Sequence, residues 1–138
     1  MKKTNKFILL TILLLSLFIG CTTSNPLQEY QLVVTVSYWN GWTSDYESEE
    51  TTYIYSIEKN EPIIIPSDFG QTLTVTITKT AQDSITIKTD QPMSDNEDGT
   101  INLGSTKTSF EVNLSKELLL ITTSTDMGTI FLFEIERK

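Results

Sequence analysis

Alternating apolar and polar residues recur along most of the chain beyond position 30. In the first such run, Leu32, Val34 and Val36 share one face, while Thr35 and Ser37 share the other. A period of two is typical of half-buried β-strands. The same pattern returns at positions 53–57, 73–77, 85–87, 110–114 and 131–135, and positions 118–121 are continuously apolar. No stretch shows a sustained helical period.

This pattern predicts an all-β fold. Eight or nine short strands with one polar face each favour an antiparallel β-sandwich of immunoglobulin-like architecture, formed by a single domain over residues 31–138. Ile130 and Leu132 make the last strand apolar on both faces, which places it centrally in a sheet. Pro62 and Pro66 bracket three isoleucines. Proline cannot donate to a ladder, so this run is predicted to lie at a sheet edge or in a crossover. A turn beginning at Ser115 predicts a hairpin between its two flanking strands.

The first twenty residues have a different character. Lys2, Lys3 and Lys6 form a basic region, and an almost wholly apolar segment follows at positions 7–19. As a helix this segment would reach only about 20 Å, whereas a membrane-spanning helix must cross about 30 Å. Residues 1–20 are therefore predicted to be a signal peptide rather than a transmembrane helix.

The only cysteine follows this segment directly. The pair Gly20-Cys21 after the apolar run resembles the lipobox of bacterial lipoproteins. The resemblance implies that the Cys21 thiol receives a diacylglyceryl group and that the chain is cut before Cys21. The protein would then be exported and attached to a bacterial membrane by its N-terminal lipid, at the cell envelope or surface. Residues 21–30 would form the lipidated N-terminus and a tether.

The amino-acid composition excludes several kinds of catalytic and metal site. The chain has 138 residues, no His, one Cys and a formal net charge of −8. Without His there is no imidazole base and no Ser-His-Asp triad, and a zinc site of the usual Cys/His kind is not expected. A net negative charge argues against a nucleic-acid partner. No cofactor is expected.

The aromatic residues are concentrated in one region. Both Trp and all five Tyr lie between positions 30 and 55. Asn40-Gly41 suits a type I′ turn, across which Trp39 and Trp42 would face each other. The two indoles are then either exposed at a loop tip, where they would bind a glycan or an envelope or host protein, or packed together as hairpin support.

An acidic stretch follows the two tryptophans. Asp45, Tyr46 and Glu47 begin it, and further carboxylates follow. It is interpreted either as part of the same binding surface, suited to a basic partner or a cation, or as an ordinary solvated loop.

A third feature resembles part of a calcium-binding loop. Relative to Gly99, Asn96 and Asp98 occupy ligand positions, but Ser94 and Ser105 stand where acidic ligands are usual. The site would thus lack much of its charge. A hairpin turn at Asp98-Gly99 is the simpler interpretation.

Three functional hypotheses remain open. The favoured one is a lipid-anchored, non-catalytic domain that binds or scaffolds a partner through the aromatic and acidic loop. The second is a small envelope enzyme that uses paired carboxylates, as glycosidases do. The third is a protease-inhibitor-like sandwich, which rests on fold analogy alone.

Overall fold

A computed structural model describes residues 26–40, 49–67, 70–97, 100–101, 104–123 and 126–138. This part of the chain contains no α-helix, and no helix in it is long and apolar enough to cross a membrane. The strands are β1 (Tyr30–Asn40), β2 (Thr51–Ser56), β3 (Pro62–Pro66), β4 (Thr72–Thr80), β5 (Ser84–Glu97), β6 (Thr100–Ile101), β7 (Lys107–Asn113), β8 (Leu118–Thr122) and β9 (Met127–Arg137).

The strands form an antiparallel sheet that is nearly barrel-shaped. Along the sheet the order is β2-β1-β9-β8-β5-β4-β3, with β7 also paired to β5. The short strand β6 pairs with the end of β5 outside this eight-stranded sheet. The predicted all-β, antiparallel character is confirmed.

The core lies against the inner face of the sheet. On β9, Phe131, Phe133 and Ile135 point inward and are buried, whereas Ile130 and Leu132 on the outer face are half-buried. β9 lies between β1 and β8, so its predicted central position is confirmed. The other strands follow their predicted alternation, and their buried side chains include Leu32, Val34, Val36, Leu73, Val75, Ile77, Ile85, Ile87, Phe110, Val112 and Leu120.

The long strand β5 connects two parts of the sheet. In its first half, Ile85 and Ile87 pair with β4 on one side and β7 on the other. In its second half, Met93 pairs with Lys107 of β7 and with Thr122 of β8. The register with β7 shifts between Lys88 and Met93, a stretch that contains Pro92. Proline has no backbone N–H to donate, so it fits at such an irregularity.

β3 ends the sheet, as its two prolines predict. Within the described chain it pairs with β4 alone. The link that joins β2 to β3 turns back against β4, where the Asn60 N–H donates to the Ile77 carbonyl at 2.8 Å. Asn60 has a φ of 66°, a left-handed conformation that Asn tolerates better than most residues.

The hairpin predicted at Ser115 is wrong. A tight turn is present, in which the Lys116 N–H donates to the Asn113 carbonyl at 3.3 Å. Apart from the single antiparallel bridge between Asn113 and Lys116, however, β7 and β8 form no ladder with each other. β7 pairs with β5, whereas β8 pairs with β9 and with the far half of β5. After the turn the chain therefore pairs with different strands. The residues around Ser115 do not indicate this change of partner.

The folded region also begins earlier than predicted. Leu27 is fully buried within the core cluster, although it lies in the segment assigned to the tether. The carbonyl of Glu29 accepts a hydrogen bond from the Lys138 N–H at 2.9 Å, and its carboxylate pairs with Arg137 at 2.7 Å. The exposed ion pair adds little stability, but burial of Leu27 adds about 2 kcal/mol. Residues 26–30 thus belong to the domain.

Candidate functional site

Two of the predicted site residues lie in the described chain. Trp39 is described fully, whereas Asn96 is described only as a backbone position of β5. The remaining predicted residues lie outside the described part: Cys21, Trp42, Asp45, Tyr46, Glu47 and Asp98. The structure of the aromatic site is therefore described through Trp39 and the residues around it.

Trp39 lies near the end of β1 on the face opposite the core. It is half-buried, and its partner across the ladder is Gly128 at the start of β9. A Cβ placed on Gly128 would lie 2.6 Å from Nε1 and 3.0 Å from Cε2 of Trp39. The indole therefore lies directly over Gly128, where only a glycine leaves it room. Sequence reasoning missed Gly128, although a glycine near the start of a strand is a known signal of close approach.

The predicted turn at Asn40-Gly41, with Trp39 facing Trp42, falls partly on Gly41 and Trp42, which lie outside the described residues. Asn40 is still part of β1 and pairs with Met127, while the ladder between β1 and β2 ends at the pair Val36 and Thr51. The cross-strand partner that the structure gives to Trp39 is Gly128.

The indole nitrogen of Trp39 is buried without a hydrogen-bond partner among the described residues. The nearby Thr122 hydroxyl is already engaged, because it accepts from the Thr129 N–H at 2.9 Å and reaches the Thr129 carbonyl at 3.5 Å. A buried donor left unpaired costs about 1–3 kcal/mol. Trp39 is consequently neither a freely exposed indole nor a satisfied core residue.

A pair of hydroxyl groups lies at the same end of the sheet as Trp39, on the core side of β9. The Thr129 side chain is buried, and its Oγ1 lies 2.9 Å from the Ser67 Oγ. This contact ties the segment after β3 to the start of β9, at the end of the sheet where Trp39 lies. Met127, next to Gly128, is 45% exposed there. Ser67 and Thr129 thus lie across the sheet from Trp39, and the described part of the aromatic site is the indole fixed over Gly128.

The weak calcium candidate is described only by its backbone. β5 and β6 pair Glu97 with Thr100, which leaves two residues between the strands, as the hairpin interpretation requires. In the part of the chain that is described, no group of three or more acidic or Cys side chains is arranged to hold a metal ion.

Three carboxylates line an open depression at the other end of β8 and β9. Its volume is about 220 Å³, and Glu117, Glu134 and Glu136 lie along it with Lys116. Burial raises the pKa of Glu134, and the negative charges of Glu117 and Glu136 raise it further. A carboxyl group in this setting holds its proton more tightly, a property that general acids share. Among the described residues, this depression supplies the candidates for the paired-carboxylate hypothesis.

Comparison with known proteins gave no match. No model of a known protein family matches the chain, and neither a curated protein sequence nor a solved structure matches it.

The contact between Trp39 and Gly128 predicts a strong coupling between the two positions. Gly128→Ala forces its new methyl group against the indole and the Thr122 hydroxyl, so we expect it to lower the free energy of unfolding by about 1–3 kcal/mol. Urea unfolding of both single variants and of the Trp39→Ala/Gly128→Ala double variant measures this. The double variant should lose less than the two single losses added together, because the clash is gone. Strict additivity would contradict the contact.

Proposed function

We propose that the protein is a lipid-anchored lipoprotein of the bacterial cell envelope, whose folded domain is a non-catalytic binding or scaffolding module. The anchor rests on the apolar segment at 7–19 and on the pair Gly20-Cys21 that follows it. No nucleic acid or cofactor enters this proposal. The membrane is contacted through the lipid, and the partner of the module is a glycan or an envelope or host protein.

The early start of the fold adds a physical consequence to the proposed anchor. Leu27 is already in the core, and only a short stretch separates it from Cys21. Even fully extended, that stretch spans no more than roughly 20 Å. A lipidated Cys21 would thus hold the domain close to the membrane surface. Such a module meets partners within the envelope layer more readily than distant ones.

Trp39 carries the binding half of the proposal. Its indole is held in place over Gly128, yet it is half-exposed and its N–H lacks a partner among the described residues. A rigid, half-exposed indole ring is well suited to stack on a sugar ring or to anchor a protein partner through its exposed face. Trp42, Asp45, Tyr46 and Glu47 follow it closely in sequence and are proposed to belong to the same surface.

We further propose that the nearly closed sheet is arranged as two facing layers, as in an immunoglobulin-like sandwich. The support is β5, whose two halves pair with different strands on the two sides of an irregular stretch between Lys88 and Met93. Strands that change sheets through such bends occur at the corners of sandwiches. The layers would then share β5.

The enzyme hypothesis remains the second candidate. It is favoured by the depression that Glu117, Glu134 and Glu136 line and by the raised pKa of Glu134. Against it, the depression is open, whereas carboxylate catalysis works best where water is excluded. No feature of the described loops favours the protease-inhibitor hypothesis.

The anchor is tested by Cys21→Ser in the full chain, expressed in a bacterium that processes lipoproteins. We expect wild type to incorporate labelled palmitate and to remain with the membrane, because two or more acyl chains give durable attachment. The variant should incorporate no label and leave the membrane fraction. Thr22→Ser is the matched control and should behave as wild type. A Cys21→Ser protein that stays as firmly membrane-bound as wild type would overturn the anchor.

The binding role is tested through tryptophan fluorescence. In a Trp42→Phe variant only Trp39 emits, and its half-buried indole should show intermediate quenching by acrylamide. Isolated peptidoglycan and envelope proteins are then added separately. Binding at Trp39 should shift the emission to shorter wavelength and reduce quenching, because the indole leaves water. Emission that no envelope component changes would contradict a binding role for Trp39.

A further inference from the structure

The two end strands of the sheet, β2 and β3, face each other across a seam. They have no ladder with each other, and the contact between them is a hydrogen bond from the Tyr55 hydroxyl to the Ile64 carbonyl at 3.3 Å. On the outer surface, Ile54 of β2 and Ile64 of β3 flank this contact and are 61% and 60% exposed. We name the surface formed by Ile54, Tyr55 and Ile64 the β2–β3 seam.

The edge of β3 is poor in donors. The Ile64 carbonyl faces Tyr55, so positions 62, 64 and 66 direct their backbone groups into the seam, since these alternate along a strand. The Thr74 N–H, opposite Ile64, accordingly donates away from β3, to Asp90 Oδ1 at 3.2 Å. Pro62 and Pro66 have no N–H. Of these three positions, Ile64 alone can donate to another strand.

The edge of β2 is different. Its six residues contain no proline, and in the described chain it pairs with β1 only. Alternate residues of an edge strand direct both N–H and C=O away from the sheet, so three residues of β2 offer both groups to the seam. Such an edge is a template on which an extended segment can add as another strand. A strand that enters the seam would therefore pair with β2 first.

Charge limits which segment fits. Exposed carboxylates lie at both ends of β2: Glu49 and Glu50 precede it, and Glu58 and Glu61 follow it. Lys59 is the one basic residue between positions 49 and 66. A second copy of this chain lying antiparallel on β2 would bring these acidic ends together, which opposes self-pairing. A segment with basic ends and an apolar centre is complementary to the acidic ends and to Ile54.

We propose that the β2–β3 seam binds an extended segment of a partner protein, with apolar residues between flanking Lys or Arg residues. The segment adds to β2 as a strand, packs apolar side chains on Ile54 and Ile64, and replaces the hydrogen bond between Tyr55 and Ile64. Its basic ends lie against the carboxylates at the two ends of β2. Glu49 and Glu50 also end the acidic stretch that follows the two tryptophans. The inference does not use the Trp39 indole, so failure of the fluorescence test at Trp39 would leave it standing.

Three synthetic peptides test the seam with the full chain purified in detergent. The first has a valine-threonine centre between paired lysines, the second replaces the lysines by glutamates, and the third replaces the valines by prolines. We expect the first peptide to bind, and to bind at least tenfold more weakly in 1 M salt because screening weakens exposed charge pairs. The glutamate and proline peptides should bind at least tenfold more weakly than the first, because one is repelled and the other cannot pair.

Variants of the protein locate the binding. Ile54→Lys should weaken binding of the lysine peptide at least tenfold, whereas Met127→Lys, an equally drastic change at another exposed position, should leave it unchanged. Tyr55→Phe removes the competing hydrogen bond and should strengthen binding a few-fold. The proposal is overturned if the lysine peptide does not bind, if all three peptides bind equally, or if Ile54→Lys has no more effect than Met127→Lys.

Discussion

The rest of the structure depends on the register of β9, which lies between β1 and β8 and directs alternate side chains into the core. Phe131 and Phe133 are fully buried, and β9 is hydrogen-bonded to β1 along its whole length. A slip of one residue would turn both phenylalanines to the outer face, so the register of this ladder is strongly determined. The same register places Gly128 opposite Trp39 and Met127 opposite Asn40. The core and the candidate aromatic site are consequently set by one pairing.

Much of this arrangement can be predicted from local sequence, because a period of two states which side chains share a face. The inner positions of β1, β4 and β9 and the central place of β9 follow from this period, and the two prolines of β3 indicate its edge position. The pairing of distant strands was not. The turn at Ser115 has the residues of a hairpin, yet β7 and β8 pair elsewhere because β5 and β9 offer them partners. Which strands β7 and β8 pair with depends on the arrangement of the whole sheet, not on the residues of the turn.

The candidate site shows the same limit. Sequence could identify Trp39 as a candidate residue, but it could not show that Gly128, far along the chain, lies directly under the indole. Leu27 was missed because a single apolar residue after Pro26 carries no periodicity. Its burial moves the start of the domain toward Cys21. A lipid on that cysteine would then leave the domain little freedom to move away from the membrane.

Near-closure of the sheet leaves the β2–β3 seam as its open side. β9 and β1 lie well inside the sheet, whereas β2 and β3 terminate it, and the prolines of β3 limit what can add there. The sheet thus has a stable centre at β9 and β1 and one open side, between β2 and β3. Edges and elements with few buried contacts open more readily than central strands, and amide hydrogen exchange measures that difference directly.

Hydrogen exchange of the full chain, followed residue by residue, is the most direct test of this account. It predicts that the amides of β9 and the adjoining part of β1 exchange slowest, near the rate of global unfolding. Alternate amides of β2, those directed into the seam, should exchange at least a hundredfold faster than the amides of β2 that pair with β1. Rapid exchange along β9, or uniform protection of every amide in β2, would contradict a sheet that is centred on β9 and open between β2 and β3.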